Sequence, residues 1–391
     1  MEALFRALAG LFLALILSAC TSSLLGGGGP ASPKATQPVA SSVLGTGAVK
    51  VAMLLPLSAP GQAGQIAVSM RNAADLALRE FRTAGIQILI KDDRGTAAGA
   101  TAAASAAISE GATLILGPVF SASVAAAALV AKPAGVPMIA FSSDAANASK
   151  GVYLLSFLPQ TDTDRIIRYA AGHGKKSYAA LLPNNGYGVV VEAALQRAAA
   201  AGGARIMTIE RYDPDRSSMQ AKAQAVAGIV RGGTVDAVFI PEGGEQVALL
   251  AQILAAGGVR ADRIRLLGSS QWNDPRVLSD SNLAGGWFPG PESASYQSFA
   301  QRYQAAFGTP PVRQASLAYD ATSLAAGLNG RFGVTAFSDK VLTTPSGFIG
   351  IDGAFRFLAN GLNERGLAVY EIRGGAAVVL DAAPKAFRGG A

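Results

Sequence analysis

The feature that most constrains this chain is a repeated alternation of short, wholly apolar runs with longer helical stretches. Val49–Leu55 reads as a strand, followed by a helix from Gln65 to about Arg82. In that helix Ile66, Met70, Ala73, Ala74, Ala77, Leu78 and Phe81 recur at the spacing of one helical face. Strands at 86–91, 113–117 and 136–140 then alternate with helices that end at Ser109 and Lys132. After a short strand at 152–156 the pattern restarts. Helices at 162–172, 188–201, 217–231 and 245–256 alternate with strands at 177–182, 205–210, 235–240 and 264–268. Strands this short and this apolar belong in a parallel sheet covered on both faces, so the expected fold class is α/β with two parallel units. Two helices near 295–307 and 313–328 follow. Strands at 347–351, 355–357, 367–372 and 377–380 close the chain as antiparallel hairpins, with Asn360-Gly361 marking a turn.

Residue counts remove several chemistries. One Cys and one His in 391 residues exclude a disulfide framework, a multi-thiolate metal site and any two-histidine metal motif, and no cofactor is implied. The formal net charge is +7. Yet only 15% of residues are charged, against about 25% in an average domain, and no window gathers Lys and Arg beside aromatics. A nucleic-acid partner is therefore not expected, and the charge suits a general attraction to anionic surfaces.

The lone cysteine reads as an address. Residues 1–19 have a weakly basic start at Arg6 and an apolar run, Ala7–Leu17, too short to span a bilayer but suited to a secretory leader. Leu17-Ser18-Ala19-Cys20 follows and resembles the bacterial lipobox, which implies cleavage before Cys20, acylation of that residue and a periplasmic location. Thr21, where an Asp would favour the inner membrane, favours the outer one. Residues 20–48 are rich in Ser, Thr, Ala, Gly and Pro and read as a flexible tether spanning roughly 30 Å.

Ligands of parallel α/β sheets bind at the carboxyl ends of the strands. The loops of interest are therefore 56–64, 117–123, 141–148, 183–188, 241–245 and 269–273. There the sequence resembles the type I periplasmic binding proteins of the Leu/Ile/Val-binding family. The carrying segments are Lys50-Val-Ala-Met-Leu-Leu-Pro-Leu-Ser58, Asn72-Ala-Ala-Asp-Leu-Ala-Leu78, Leu116-Gly-Pro-Val-Phe-Ser121, Pro137-Met-Ile-Ala-Phe-Ser142, Asn184-Asn-Gly-Tyr-Gly188 and Ala318-Tyr-Asp-Ala321. They span about residues 48–380. The resemblance implies two Rossmann-like lobes joined by three crossovers, with a ligand cleft between them that closes by hinge motion. The lobes would be 49–158 plus 289–346 and 159–288 plus 347–380, with 381–391 as a tail.

The resemblance also implies a non-catalytic site for an amino acid or similar small polar ligand, delivered to an ABC permease. Its residues would be Ser58, Ser121, Ser142, Ser143 and Asp144 on the first lobe, and Tyr187 and Glu242 on the second. Hydroxyls suit a ligand carboxylate, and the Glu242 carboxylate suits an ammonium. Asp144 departs from the family pattern, which has Thr or Ser there, and would repel a ligand carboxylate. The opening Leu54-Leu-Pro-Leu-Ser-Ala-Pro-Gly-Gln62 after a lipobox also resembles lipoproteins known as penicillin-binding-protein activators. That resemblance implies a peptidoglycan synthase as partner, although the helical-repeat domain that precedes the lobes in some activators is absent.

Each residue has a plainer alternative. Ser121 suits an N-cap, Glu242 and Glu245 suit a helix start, Asp144 suits a turn, and Tyr187 suits hinge packing. Trp272 either lines the cleft or plugs it, and Tyr319 and Asp320 read as structural. His173 reads as an exposed helix-end residue. Gly174-Lys-Lys-Ser177 fails as a phosphate loop because Tyr169 and Lys176 stand where it needs Gly and Ser or Thr. Gly186-Tyr-Gly188 lacks the third Gly of a dinucleotide loop, with Val191 in its place.

Overall fold

The computed structural model describes residues 42–81, 85–261 and 263–387. The leader, the lipobox Cys20 and most of the tether lie outside the described residues.

Strand β2 (Val49–Leu55) sets the pattern of the first lobe. Its side chains alternate, so that Val51, Met53 and Leu55 enter one core while Ala52 and Leu54 enter another. It is the centre of a sheet with β1 (Ser42–Leu44), β3 (Ile86–Asp92), β4 (Leu114–Leu116), β5 (Met138–Ala140) and β6 (Val152–Leu154). The order is β1-β3-β2-β4-β5-β6, parallel except for β1, which runs antiparallel to β3. Helix α1 (Gln62–Glu80) covers one face. The Ala-rich α2 (Ala97–Ser109) and α3 (Ser121–Ala131) cover the other, where small side chains allow close approach.

The second lobe repeats the scheme. It holds α4 (Pro159–Gly172), β7 (Ser177–Pro183), α5 (Gly186–Ala201), β8 (Arg205–Tyr212), α6 (Arg216–Arg231), β9 (Ala237–Phe239), α7 (Gly244–Ala256), β10 (Arg265–Leu267), the short α8 (Pro275–Leu278) and β11 (Trp287–Gly290). The chain then returns to the first lobe through α9 (Ser293–Phe307), α10 (Ala315–Phe332) and α11 (Asp339–Leu342). A small antiparallel sheet follows, β12 (Phe348–Gly350), β13 (Gly353–Phe357) and β14 (Asn363–Arg365). Strands β15 (Ala368–Arg373) and β16 (Ala376–Asp381) complete the second sheet, whose order is β16-β15-β11-β10-β9-β7-β8.

Three expectations need correction. Residues 42–44, read as tether, pair as an edge strand, with Ser42 opposite Ile90 and Leu44 opposite Ile88. The hairpin at 348–357, assigned to the second lobe, packs in the first. Its Phe355 and Phe357 join the first-lobe core, and Phe357 lies 5.5 Å from Tyr153. An aromatic face needs a matching apolar surface, and the first lobe supplies it; the last crossover therefore falls at residues 366–367, not 346–347. The tail expected from 381 is also engaged, because the Phe387 ring lies 4.8 Å from the Arg356 guanidinium. Among the described residues no helix is long and apolar enough to cross a membrane.

Candidate functional site

The first-lobe loops form a closed hydrogen-bond network. Helix α3 starts without a side-chain cap, since its N-cap is Phe120. Ser121, read as a cap, is instead the first helical residue, and its hydroxyl is free to donate to Asp144 Oδ2 at 2.6 Å. Asp144 Oδ1 accepts the Ala146 N–H at 3.0 Å and so caps a 3-10 turn at Ala145–Asn147. Asn147 Nδ2 donates to the Ser121 hydroxyl at 2.9 Å, and the buried Ser142 hydroxyl accepts the Asp144 N–H at 3.1 Å. The Ser121 hydroxyl, with the Ala146 N–H, holds the Asp144 carboxyl below the usual carboxylate range. Ser143 is exposed. Ser58 stands on the neighbouring loop, where its N–H donates to Asp92 Oδ1 at 3.2 Å.

The second-lobe wall is built around the Pro241 carbonyl. It accepts the Tyr187 hydroxyl at 2.9 Å and the Ser269 hydroxyl at 2.7 Å. Gln271 Nε2 donates to the Tyr187 oxygen at 3.2 Å. Glu242 follows, one residue ahead of Gly243, the N-cap of α7. Its carbonyl accepts the Trp272 indole N–H at 3.0 Å. Burial pushes the Glu242 carboxyl above its ordinary range, opposed by the Gly243 N–H and by Tyr212. The Tyr212 ring is buried and its hydroxyl has no geometric partner among the described residues; burial and the nearby Glu242 raise its pKa.

The floor comes from the crossovers. Phe157, between β6 and α4, lies 4.6 Å from the Arg313 guanidinium and 4.7 Å from that of Arg365. Tyr296 stacks on Arg313 as well, at 4.3 Å. Arg313 donates to both oxygens of Asp352, which has no solvent exposure. Arg365 is buried, donates its Nε–H to the Ser156 carbonyl at 3.0 Å, and leaves both terminal nitrogens without a hydrogen-bond partner among the described residues.

The second-lobe wall and the floor border an open cavity of about 600 Å³, lined by Glu242, Gln246, Gln271 and Asp274 of the second lobe and by Phe157 and Arg313 of the floor, among others; the first-lobe loop network does not line it. Of the residues expected at a site, only Glu242 lines this cavity. Ser121, Ser142 and Asp144 come together with one another, Tyr187 supports Glu242 through Pro241, and Ser58 stands apart. Sequence reasoning missed Arg313 and Phe157, which are 156 positions apart. It left Trp272 open; the structure buries this ring completely, against Gly268, Gly286 and Phe288, so it plugs the core behind the cleft. His173 is exposed, bonds to the Tyr169 carbonyl at 2.8 Å and lies outside the cavity.

Comparisons with known proteins fit this architecture. The sequence model of a family described as periplasmic binding protein matches residues 48–376. No curated protein matches. Among solved structures, a protein from Rhodospirillum rubrum assigned to branched-chain amino acid ABC transport superposes with a TM-score of 0.75 at 20% identity, covering 85% of this chain and 99% of its own. An ABC transporter substrate-binding protein from Sphaerobacter thermophilus gives 0.66 at 20% identity, over 86% of this chain and 98% of its own. A solute-binding protein from R. palustris in complex with benzoate gives 0.59 at 20% identity, over 87% and 97%.

Proposed function

Because the chain belongs to the periplasmic binding protein family, we propose that it is a type I, leucine-binding-like member, a non-catalytic, lipid-anchored solute receptor that binds a small polar ligand between its lobes and presents it to an ABC permease. The observation that carries this reading is the cavity itself. It lies at the carboxyl ends of β9 and β10, is walled by amides and the half-buried Glu242, and has an aromatic ring at the crossover floor. Its volume suits a metabolite of amino-acid size. Neighbouring structures crystallised with benzoate and with isoleucine support the same scale of ligand. Acylation at Cys20 would keep the receptor at the periplasmic face of a membrane, with the outer membrane favoured by Thr21.

The test is thermal unfolding against amino acids, amides, peptides and muropeptides. A ligand that binds only the folded state adds about 2.7 kcal/mol at one hundred times its Kd. Glu242→Ala should remove the shift; no shift across the panel would sink the proposal.

One observation favours a second reading, a contact activator of peptidoglycan synthesis. The first-lobe loop satisfies its polar groups internally, through Ser121, Asp144 and Asn147, as a surface freed from solute binding would. Capture of a bifunctional peptidoglycan synthase, with altered glycan-strand output, would support it.

A further inference from the structure

We infer that the outer face of the first lobe carries a second ligand site, for a single-chain amphiphile with an acidic head and a hydroxyl at its far end.

A cavity of about 850 Å³ lies between α10, α11 and the β12–β13 hairpin, and it shares no lining residue with the cleft cavity. Leu324, Leu328, Phe348 and Phe355 wall it. Phe81, Phe332 and Ile349 stand at its mouth, 40%, 39% and 69% exposed. Single apolar side chains in water are ordinary. Three of them gathered around one concave apolar surface mark a place where an apolar body binds.

Helix α10 gives the site its polarity and its length. Asp320, Ser323, Gly327 and Arg331 follow at intervals of three or four residues, so they share one helix face along the cavity. At the inner end Asp320 is 3% exposed; its Oδ1 accepts the Ile351 N–H, and its Oδ2 has no partner among the described residues. The Ser323 hydroxyl, one turn on, has none there either. Buried oxygens left in this way are costly, and a ligand hydroxyl answers both, donating to the carboxyl and accepting from the serine.

The outer end is basic. Arg331 and Lys340 are exposed, and neither is ion-paired to a carboxylate among the described residues. Among those residues Asp320 is the one carboxylate that lines the cavity, and Asp339, next to Lys340, is engaged by Lys150 and Tyr153. Asp320 and Arg331 are eleven positions apart, about 16 Å of helix at 1.5 Å per residue. An extended acyl chain of medium length spans that distance with its carboxylate between the two cations. Gly327 keeps the midpoint open, since a Cβ there would meet nothing within 4 Å.

The experiment is isothermal titration of the delipidated full chain with laurate, ω-hydroxylaurate and dodecylamine, at low and high salt. Laurate should bind about tenfold or more tightly than dodecylamine, and ω-hydroxylaurate more tightly than laurate. Arg331→Gln combined with Lys340→Gln should lose about tenfold for the acids, together with their salt dependence. Gly327→Leu should abolish binding by filling the passage. It improves helix propensity, and its unfolding temperature reports that the fold is kept. Glu242→Ala, in the cleft, should leave these affinities unchanged. Equal binding of acid and amine, no gain from the ω-hydroxyl, binding indifferent to Gly327→Leu, or no binding by any probe overturns the inference. Capture of the protein by phosphatidylglycerol vesicles without laurate binding also overturns it, and makes this face a membrane-docking surface.

Discussion

Arg313 at the cleft floor grips Asp352, a carboxylate with no solvent exposure, through contacts of 2.5 and 3.2 Å. The pair ties the loop ahead of α10 to the β12–β13 turn. Asp352→Asn should destabilise the protein by about 2 kcal/mol, less than a fully buried pair because Arg313 partly reaches solvent. Chemical denaturation measures this. Adding Arg313→Met should recover little of the loss, because Arg313 reaches solvent while the buried Arg365, which also faces Asp352, stays without its counter-charge.

Asp320 makes stability depend on pH in a direction opposite to most carboxylates. It is buried, and burial with the nearby Asp352 pushes its carboxyl up to about 7, against the Ile351 N–H it accepts at 2.7 Å. The folded state therefore holds its proton more tightly than the unfolded state. Stability from this group is fully present at low pH and falls as pH rises from about 4 towards 7. Asp162 and Asp93, each raised to about 6 by burial, act the same way over a narrower window. Asp320→Asn should flatten the fall between pH 4 and 7, read as denaturation midpoints at several pH values. An unchanged slope would remove Asp320 from the account.

Trp272 leaves no room at its neighbours. A Cβ on Gly268 would stand 2.1 Å from the indole ring. Gly268→Ala should cost about 3 kcal/mol or more by overpacking. Trp272→Phe keeps the apolar fill but loses the indole donor to the Glu242 carbonyl, at about 1 kcal/mol. Calorimetry should find that its ligand affinity falls more than its stability does.

Cys20→Ser tests the anchor. The unacylated protein should leave the membrane fraction and fail to incorporate labelled palmitate. Retention of both properties would point to another anchor.

The long elements were legible because each carries its own signal. Val49–Leu55 is bounded where the apolar run is bounded, and the helix stripe from Ile66 to Leu78 faces the core through Met70, Ala73 and Ala77, whereas Phe81, expected on the same stripe, follows the helix end and is exposed. What depends on distant partners was not legible. Ser42–Leu44 has no pattern of its own and is a strand only because the edge of β3 was unpaired. Phe355 and Phe357 announce an apolar face without saying which lobe owns the matching surface. At the site, Glu242 was reached through the family resemblance at Pro241-Glu242, since the residues alone also suit a helix start. The network around Asp144 required the folded loop, because a Ser after a strand reads equally as a cap or a ligand group. Arg313 on Phe157 joins two unremarkable residues that only the crossovers bring together.

The indole of Trp272 also makes the protein its own optical gauge. The chain has two tryptophans. Trp287 sits under the Arg265 guanidinium in the core on the opposite face of the second sheet. Trp272 alone is wired to the cleft, by its hydrogen bond to the Glu242 carbonyl. If a solute occupies the proposed site, any movement of that loop would change the surroundings of the indole and its emission, so occupancy would be readable by intrinsic fluorescence without a label.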